Sequence, residues 1–316
     1  MSTGFFIHPD CRLHEMGEGH PECPERLDAI ADHLLATGLL DVLVQPEVPQ
    51  ASWADLELAH SRMHVASVQG LRDRIEAEEM AGGPRHFYID PDTAMNAFSW
   101  DAALRAAGAA VAATDAVIDG QLDNAFCAIR PPGHHAMRDK AMGFCLFNNI
   151  AIAAKHALER RGLKRVAVVD FDVHHGNGTE DILSADPRCM MIGIFQHPFY
   201  PYSGENSSAA NMFNVPVPAY TRGETVRELF EQVLLPRLDA FQPEMIFISA
   251  GFDAHRDDEL GQMGLVEADY AWMTDRINQI AQRHAKGRIV SCLEGGYNLR
   301  ALAHSVHAHV RALSGL

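Results

Sequence analysis

Two residues apart in this chain, Asp172 and His174 can turn their side chains toward one point, because alternate side chains of an extended segment share a face. Asp253 follows a separate apolar run, Met245–Ser249, and supplies a third ligand. Two carboxylates and one imidazole leave a tetrahedral ion one open position, as a catalytic metal site requires. Asp170, two residues before Asp172, is either a fourth ligand or the carboxylate that orients a neighbouring histidine. The bland alternative is that Asp172 and His174 only cap the following helix.

His134 and His135 follow Pro131-Pro132-Gly133. Two prolines stiffen the approach and the glycine permits a tight turn, so the imidazoles sit on a rigid loop suited to acid–base work near neutral pH. Read blandly, one is buried and the other exposed. Tyr297 follows Glu294-Gly295-Gly296, where paired glycines allow close backbone approach and a phenol can donate to a developing oxyanion. Its bland alternative is a packing tyrosine at a helix start.

These residues need a scaffold that gathers them. Short apolar runs at Gly4–Ile7, Ala125–Ile129, Arg165–Asp170, Met190–Phe195, Met245–Ser249 and Arg288–Leu293 read as buried strands. Amphipathic stretches at Phe98–Ile118, Asn149–Arg160, Thr225–Leu238, Glu267–His284 and Leu299–Leu313 read as helices. The alternation predicts an α/β fold with one parallel sheet flanked by helices on both faces, as one domain over residues 1–316. Four of the runs end in the polar segments that carry the chemistry. Ligands bind beyond the carboxyl ends of parallel strands, so all four segments should meet at one edge.

Composition narrows the function classes. Apolar residues make up 47%, and the formal charge is −16 without a basic stripe, which argues against direct binding to nucleic acid. No apolar run reaches the ~18 residues of a membrane span. The first fifteen residues lack a basic segment followed by a long apolar one, so no secretory signal is expected. The six cysteines form no C-x-x-C pair and read as reduced thiols of a cytoplasmic protein.

Together, His20-Pro-Glu-Cys-Pro-Glu-Arg26, Arg130-Pro-Pro-Gly-His-His135, Gly143-Phe-Cys-Leu-Phe-Asn-Asn149, Asp170-Phe-Asp-Val-His-His-Gly-Asn-Gly-Thr179, Ala250-Gly-Phe-Asp253 and Glu294-Gly-Gly-Tyr297 resemble the histone deacetylase family. The motifs occur in order over most of the chain. Their joint occurrence is highly specific, and the relatives include acetylpolyamine amidohydrolases. The resemblance implies the arginase-like fold and zinc held by Asp172, His174 and Asp253, a ligand set that also suits ferrous iron. It implies His135 as general base and then acid, His134 paired with Asp170, and Tyr297 polarising the scissile carbonyl. Gly143 and Phe144 would line an acyl-lysine tunnel, with Tyr200 as a second aromatic wall and Leu260 and Gly295 as further substrate contacts. Arg26 would lie near a product channel.

The resemblance also implies a structural potassium site, weakened here because Gly193 stands where a serine usually contributes an oxygen. Asn177, where other members carry Asp, resembles the class II branch. Tyr202 reshapes the mouth, and Asp90 and Asp92 are candidate rim residues. Leu260, at the position of an acidic gatekeeper in polyamine-selective relatives, and the short stretch before His20 favour an acylated lysine of a peptide or protein over a small acylated amine. A non-catalytic acyl-lysine reader is disfavoured by the intact acid–base set. Arginase-type ureohydrolysis is disfavoured because a two-manganese cluster needs more ligands than this chain shows. The sequence leaves oligomeric state open, a homo-oligomer included. Among the other histidines, His175 reads as structural and His255 as a neighbour of the metal site. His304 and His307, one turn apart without a third ligand, read as a solvated or packed face. His60, His64, His156 and His284 look like ordinary helix or loop positions.

Overall fold

The structure, a computed structural model, describes residues 2–207 and 209–316. Among these described residues nine strands form: β1 Thr3–Phe6, β2 Phe87–Tyr88, β3 Ala94–Met95, β4 Asn124–Cys127, β5 Val166–Asp170, β6 Cys189–Gln196, β7 Met212–Val217, β8 Met245–Ala250 and β9 Ile289–Leu293. β2 and β3 make a small antiparallel pair, and the other seven make one parallel sheet in the order β1-β4-β9-β8-β5-β6-β7. Around them lie α1 Glu25–Ala36, α2 Trp53–Leu56, α3 Arg62–Met80, α4 Ser99–Ile118, α5 Asn149–Glu159, α6 Asn177–Leu183, α7 Gly223–Leu229, α8 Leu235–Phe241, α9 Glu267–His284 and α10 Leu299–Leu313.

The central strands are apolar on both faces because both are covered. Along β5, Val166 and Val168 enter one core with Ile150 and Ile152 of α5 and Ala106 and Ala110 of α4. Ala167 and Val169 enter the other, with Leu27 of α1, Ile277 of α9 and Val306 of α10. Alternation along one strand thus feeds two cores, as the pleat dictates.

The six expected strands are present within one or two residues. The edge strand β7 was not expected, since it carries Pro216, which an edge strand tolerates because its missing N–H need not enter a ladder. The stretch expected as one helix over Thr225–Leu238 is α7 and α8 joined by a π turn, Phe230–Leu234. Pro236, in the first turn of α8, cannot donate to a carbonyl of the preceding turn, and the widened turn accommodates that loss. α1 and α3 were also not expected. The four strands β4, β9, β8 and β5 are consecutive in the sheet, so the four polar segments that follow them emerge side by side. No helix among the described residues is long and apolar enough to cross a membrane.

Candidate metal and acid–base site

Asp172 and His174 leave the end of β5, and Asp253 leaves the end of the neighbouring β8. His174 Nδ1 stands 3.0 Å from Asp172 Oδ1 and 3.2 Å from Asp253 Oδ2. Ligand atoms at the corners of a tetrahedral zinc site with bonds near 2.0–2.1 Å are separated by about 3.3 Å, so this spacing fits one ion. Among the described residues these three are the only group whose donor atoms already converge. Both carboxylates are buried, yet Asp253 Oδ2 accepts no hydrogen bond while Asp253 Oδ1 takes the Val173 N–H at 2.9 Å. A buried, unpartnered carboxylate oxygen is expensive, and a cation held there would satisfy it. Burial and the Asp172 charge push the Asp253 carboxyl up to about 7.

Two glycines make the cradle. A Cβ on Gly251 would sit 2.0 Å from Asp172 Oδ2, and one on Gly295 would sit 1.9 Å from Asp253 Oδ2. Gly295 also donates its N–H to Asp172 Oδ2 at 2.8 Å. Asp170 stands outside the cluster: its Oδ1 accepts the Asp172 N–H at 3.1 Å and its Oδ2 accepts from His134 Nδ1 at 3.0 Å. Of the two expectations for Asp170, the geometry therefore shows the partner of a histidine.

His134 and His135 are both buried, which departs from the bland reading of one buried and one exposed ring. Their rings lie 4.0 Å apart. Glu294 Oε2 accepts the backbone N–H groups of Gly133 at 2.6 Å and His134 at 3.0 Å, fixing the loop. Burial pushes Glu294 up to about 7 despite the nearby His134. Burial disfavours a charged His134, but the Asp172 and Asp170 carboxylates outweigh it and raise the imidazole well above its ordinary range. His135 is held well below that range by burial and then by the charges of His134 and His174. His135 Nδ1–H donates to Asn177 Oδ1 at 2.7 Å, which leaves the lone pair on Nε2.

Tyr297 is positioned by a residue the sequence did not single out. Asp258 Oδ2 accepts the N–H groups of Tyr297 at 2.6 Å and Asn298 at 3.0 Å, while its Oδ1 accepts that of Leu260 at 3.0 Å. Only a buried carboxylate five residues past Asp253 hints at this role. Burial keeps the Tyr297 phenol well above its usual pKa, hence protonated and able to donate. Arg26 is wholly buried: its Nε donates to Gly296 O at 2.7 Å and its Nη2 to Glu294 O at 2.5 Å, with the guanidinium 5.0 Å from the Tyr297 ring. The structure places Arg26 as a clamp on the glycine loop. Glu22, also buried, bonds both Arg26 and Arg130.

Above the cluster opens a cavity of about 310 Å³, lined by His135, His174, Gly143, Phe144, Tyr200, Leu260 and Tyr297 among others. Gly143 and Phe144 both have positive φ, 57° and 68°, and a Cβ on Gly143 would meet the His135 ring at 2.5 Å. Phe199 was not singled out from the sequence, yet it lies parallel to the His174 ring at 5.3 Å; Tyr200 stands edge-on to His135 at the same distance. Asp92 and Glu259 add carboxylates to the lining, whereas Asp90 caps the turn that carries Asp92. Tyr202 is exposed. At Gly193, a Cβ would lie 3.6 Å from Asp170 O, so a side chain there would reach the segment that the glycine leaves without an extra oxygen.

His175 hydrogen-bonds Ser203 at 2.9 Å and Glu180 at 2.8 Å, a structural knot apart from the cavity. His255 accepts the Asp257 N–H at 3.1 Å, and its Nε2 lies 3.7 Å from Glu267; the structure records no bond from it to the metal cluster. His60 and His64 buttress the Met137–Asn148 segment, with His60 Nε2 accepting the Asn148 N–H at 2.8 Å.

The histone deacetylase domain family matches residues 20–313. The chain is 36% identical over 338 residues to the histone deacetylase-like amidohydrolase of Pseudomonas aeruginosa, covering 99% of this chain and 86% of that one. It is 37% identical over 333 residues to the mouse polyamine deacetylase HDAC10, covering all of this chain. It spans 48% of that mouse protein and 46% of histone deacetylase 5 of Arabidopsis thaliana, so these relatives are about twice its length. The crystal structure of the HDA15 HD domain superposes with a TM-score of 0.90 at 34% identity, over 99% of this chain and 90% of that one.

Proposed function

This chain belongs to the histone deacetylase family, and from that premise we propose that it is a zinc-dependent amidohydrolase that removes acyl groups, acetyl first, from lysine side chains of peptides or proteins. One observation carries the reading: His174 of the Asp172–His174–Asp253 cluster, His135 and Tyr297 all line one aromatic-walled cavity. Asp172, His174 and Asp253 would hold the zinc, with ferrous iron an alternative for the same donors. When bound, the ion supplies Lewis acidity that activates water and polarises the amide carbonyl.

The chain's own groups account for the remaining chemistry. His135 Nε2 takes the proton of the attacking water and returns it to the leaving amine, since Asn177 holds the proton on the other nitrogen. His134, held as a cation by Asp170 and Asp172, sets the local field. Tyr297 donates to the oxygen that becomes negative. Phe144 and Phe199, with Gly143 and Tyr200, form walls for a four-carbon aliphatic stem, and Leu260 lines the same cavity, whereas Gly295, expected as a substrate contact, packs against the Asp253 and Asp172 carboxylates instead of lining it. Arg26 holds the floor, and a product path past it belongs to the same proposal. So do a single catalytic domain over residues 1–316, a weakened potassium site at Gly193 and a cytoplasmic setting, the last in keeping with six free cysteines.

A second reading has specific support. Asp92 and Glu259 place two carboxylates in the cavity lining, which suits the distal amine of an acylpolyamine. Initial rates on an acetyl-lysine peptide and on N-acetylputrescine separate the two readings. Faster peptide hydrolysis is expected; faster polyamine hydrolysis would reverse the order.

A further inference from the structure

The seam between α1 and α10 gathers three histidines that the catalytic cavity does not use. His304 and His307 lie one turn apart on α10, and packing brings His33 of α1 against both, a neighbour that the sequence did not reveal. The His33 ring stacks on His304 with centroids 4.4 Å apart and 17° between planes, and meets His307 edge-on at 5.2 Å. Imidazoles that share one ion, each bonded at about 2.0–2.1 Å, have centroids about 5 Å apart, close to the separation of His33 from each of the two α10 rings. Their nitrogens do not converge in this arrangement, so the stacked pair has to turn about its side-chain torsions before all three can bond one ion.

The tautomer of His307 points the same way. Thr37 donates its hydroxyl proton to His33 O at 2.9 Å, so its oxygen can only accept from His307 Nδ1, 3.1 Å away. That leaves the lone pair on His307 Nε2 and gives the ring the hydrogen-bonded orienting partner typical of metal-bound imidazoles. All three rings are partly exposed, so an ion can reach them. Burial and the neighbouring histidines lower both His33 and His307 from their ordinary range, which favours the neutral rings that can offer a lone pair.

We propose that His33, His304 and His307 form a second, non-catalytic site for a divalent transition cation of the zinc type, which ties α1 to α10. The site acts on the two helices that flank the active-site floor. Arg26 lies on α1 two turns before His33, and Asn298, the residue that caps α10, follows Tyr297 directly.

The test is metal stoichiometry on tag-free protein by equilibrium dialysis against zinc, with melting temperature read in parallel. Wild type should bind two equivalents, the second with micromolar affinity and a rise in Tm. The double variant His33→Gln/His304→Gln should bind one and keep full turnover. Asp172→Asn, which disables the catalytic site, should still bind one, lost on adding the seam substitutions. A single equivalent in wild type up to millimolar zinc, or a second equivalent that survives in the double variant, would overturn the site. Loss of the first equivalent alone would instead count against the catalytic reading.

Discussion

At the residue scale, function rests on a few atoms with no spare space around them. Tyr297 contributes a proton donor and no ligand, so Tyr297→Phe should retain zinc while turnover falls by about 10²–10³-fold, the loss typical of one oxyanion donor. Parallel zinc analysis and steady-state kinetics check this; equal loss of metal would show that the phenol has a different role. Gly295→Ala should do the reverse. Its Cβ would lie 1.9 Å from Asp253 Oδ2 and 2.7 Å from Asp172 Oδ2, inside the space of the ligand atoms themselves. Zinc affinity should drop steeply, visible as loss of the first bound equivalent, and a variant that still loads a full equivalent would show that the loop can retreat.

At the element scale, positions come from strand ends and from buried carboxylates behind them. Asp258 ties the Tyr297 loop to the Leu260 loop through three N–H groups. In Asp258→Asn, one acceptor oxygen becomes an NH₂ facing a donor. The expected cost is about 1–3 kcal/mol of stability, with reduced turnover and unchanged zinc content. Urea unfolding with metal analysis decides it; a variant as stable and as active as the parent would remove Asp258 from the account. Much of this level was readable in advance. The strands that end in Asp170, Ala250 and Leu293 are predominantly apolar runs, and their polar continuations mark the site. What could not be read is who stands behind them. Asp258, Glu294, Glu22 and Phe199 act through contacts across long sequence separations, and such contacts leave no periodicity. The edge strand β7 and the split of α7 from α8 were missed for a related reason: Pro216 and Pro236 locally contradict the element that tertiary packing imposes.

At the scale of the whole molecule, the two cores, one on each face of the sheet, bury titratable groups that do not line the cavity. His309 lies between Thr274 and Ser291, at 2.7 and 2.8 Å, with no exposed surface. Burial lowers its pKa from 6.5 to about 3, and burial with the His64 charge does the same to His60. In the unfolded chain both titrate at the ordinary value, so between pH 6.5 and 3 the unfolded state binds more protons. Stability therefore falls as pH drops through this window, by about 1.4 kcal/mol per pH unit for each such histidine, and the effect is absent above pH 6.5. Unfolding midpoints across the window check the sign; His309→Gln should flatten the slope by one proton, and an unchanged slope would show that His309 is not the group responsible.

The central claim is that cluster, histidine and tyrosine together hydrolyse an acylated amine. Its most direct test is the initial rate of amide cleavage by zinc-loaded protein across acyl-lysine peptides and acylpolyamines, with His135→Ala alongside. Cleavage of an acetyl-lysine peptide by the parent, lost in His135→Ala at equal zinc content, is the predicted result. Zinc-loaded protein that binds these substrates and cleaves none of them would contradict it.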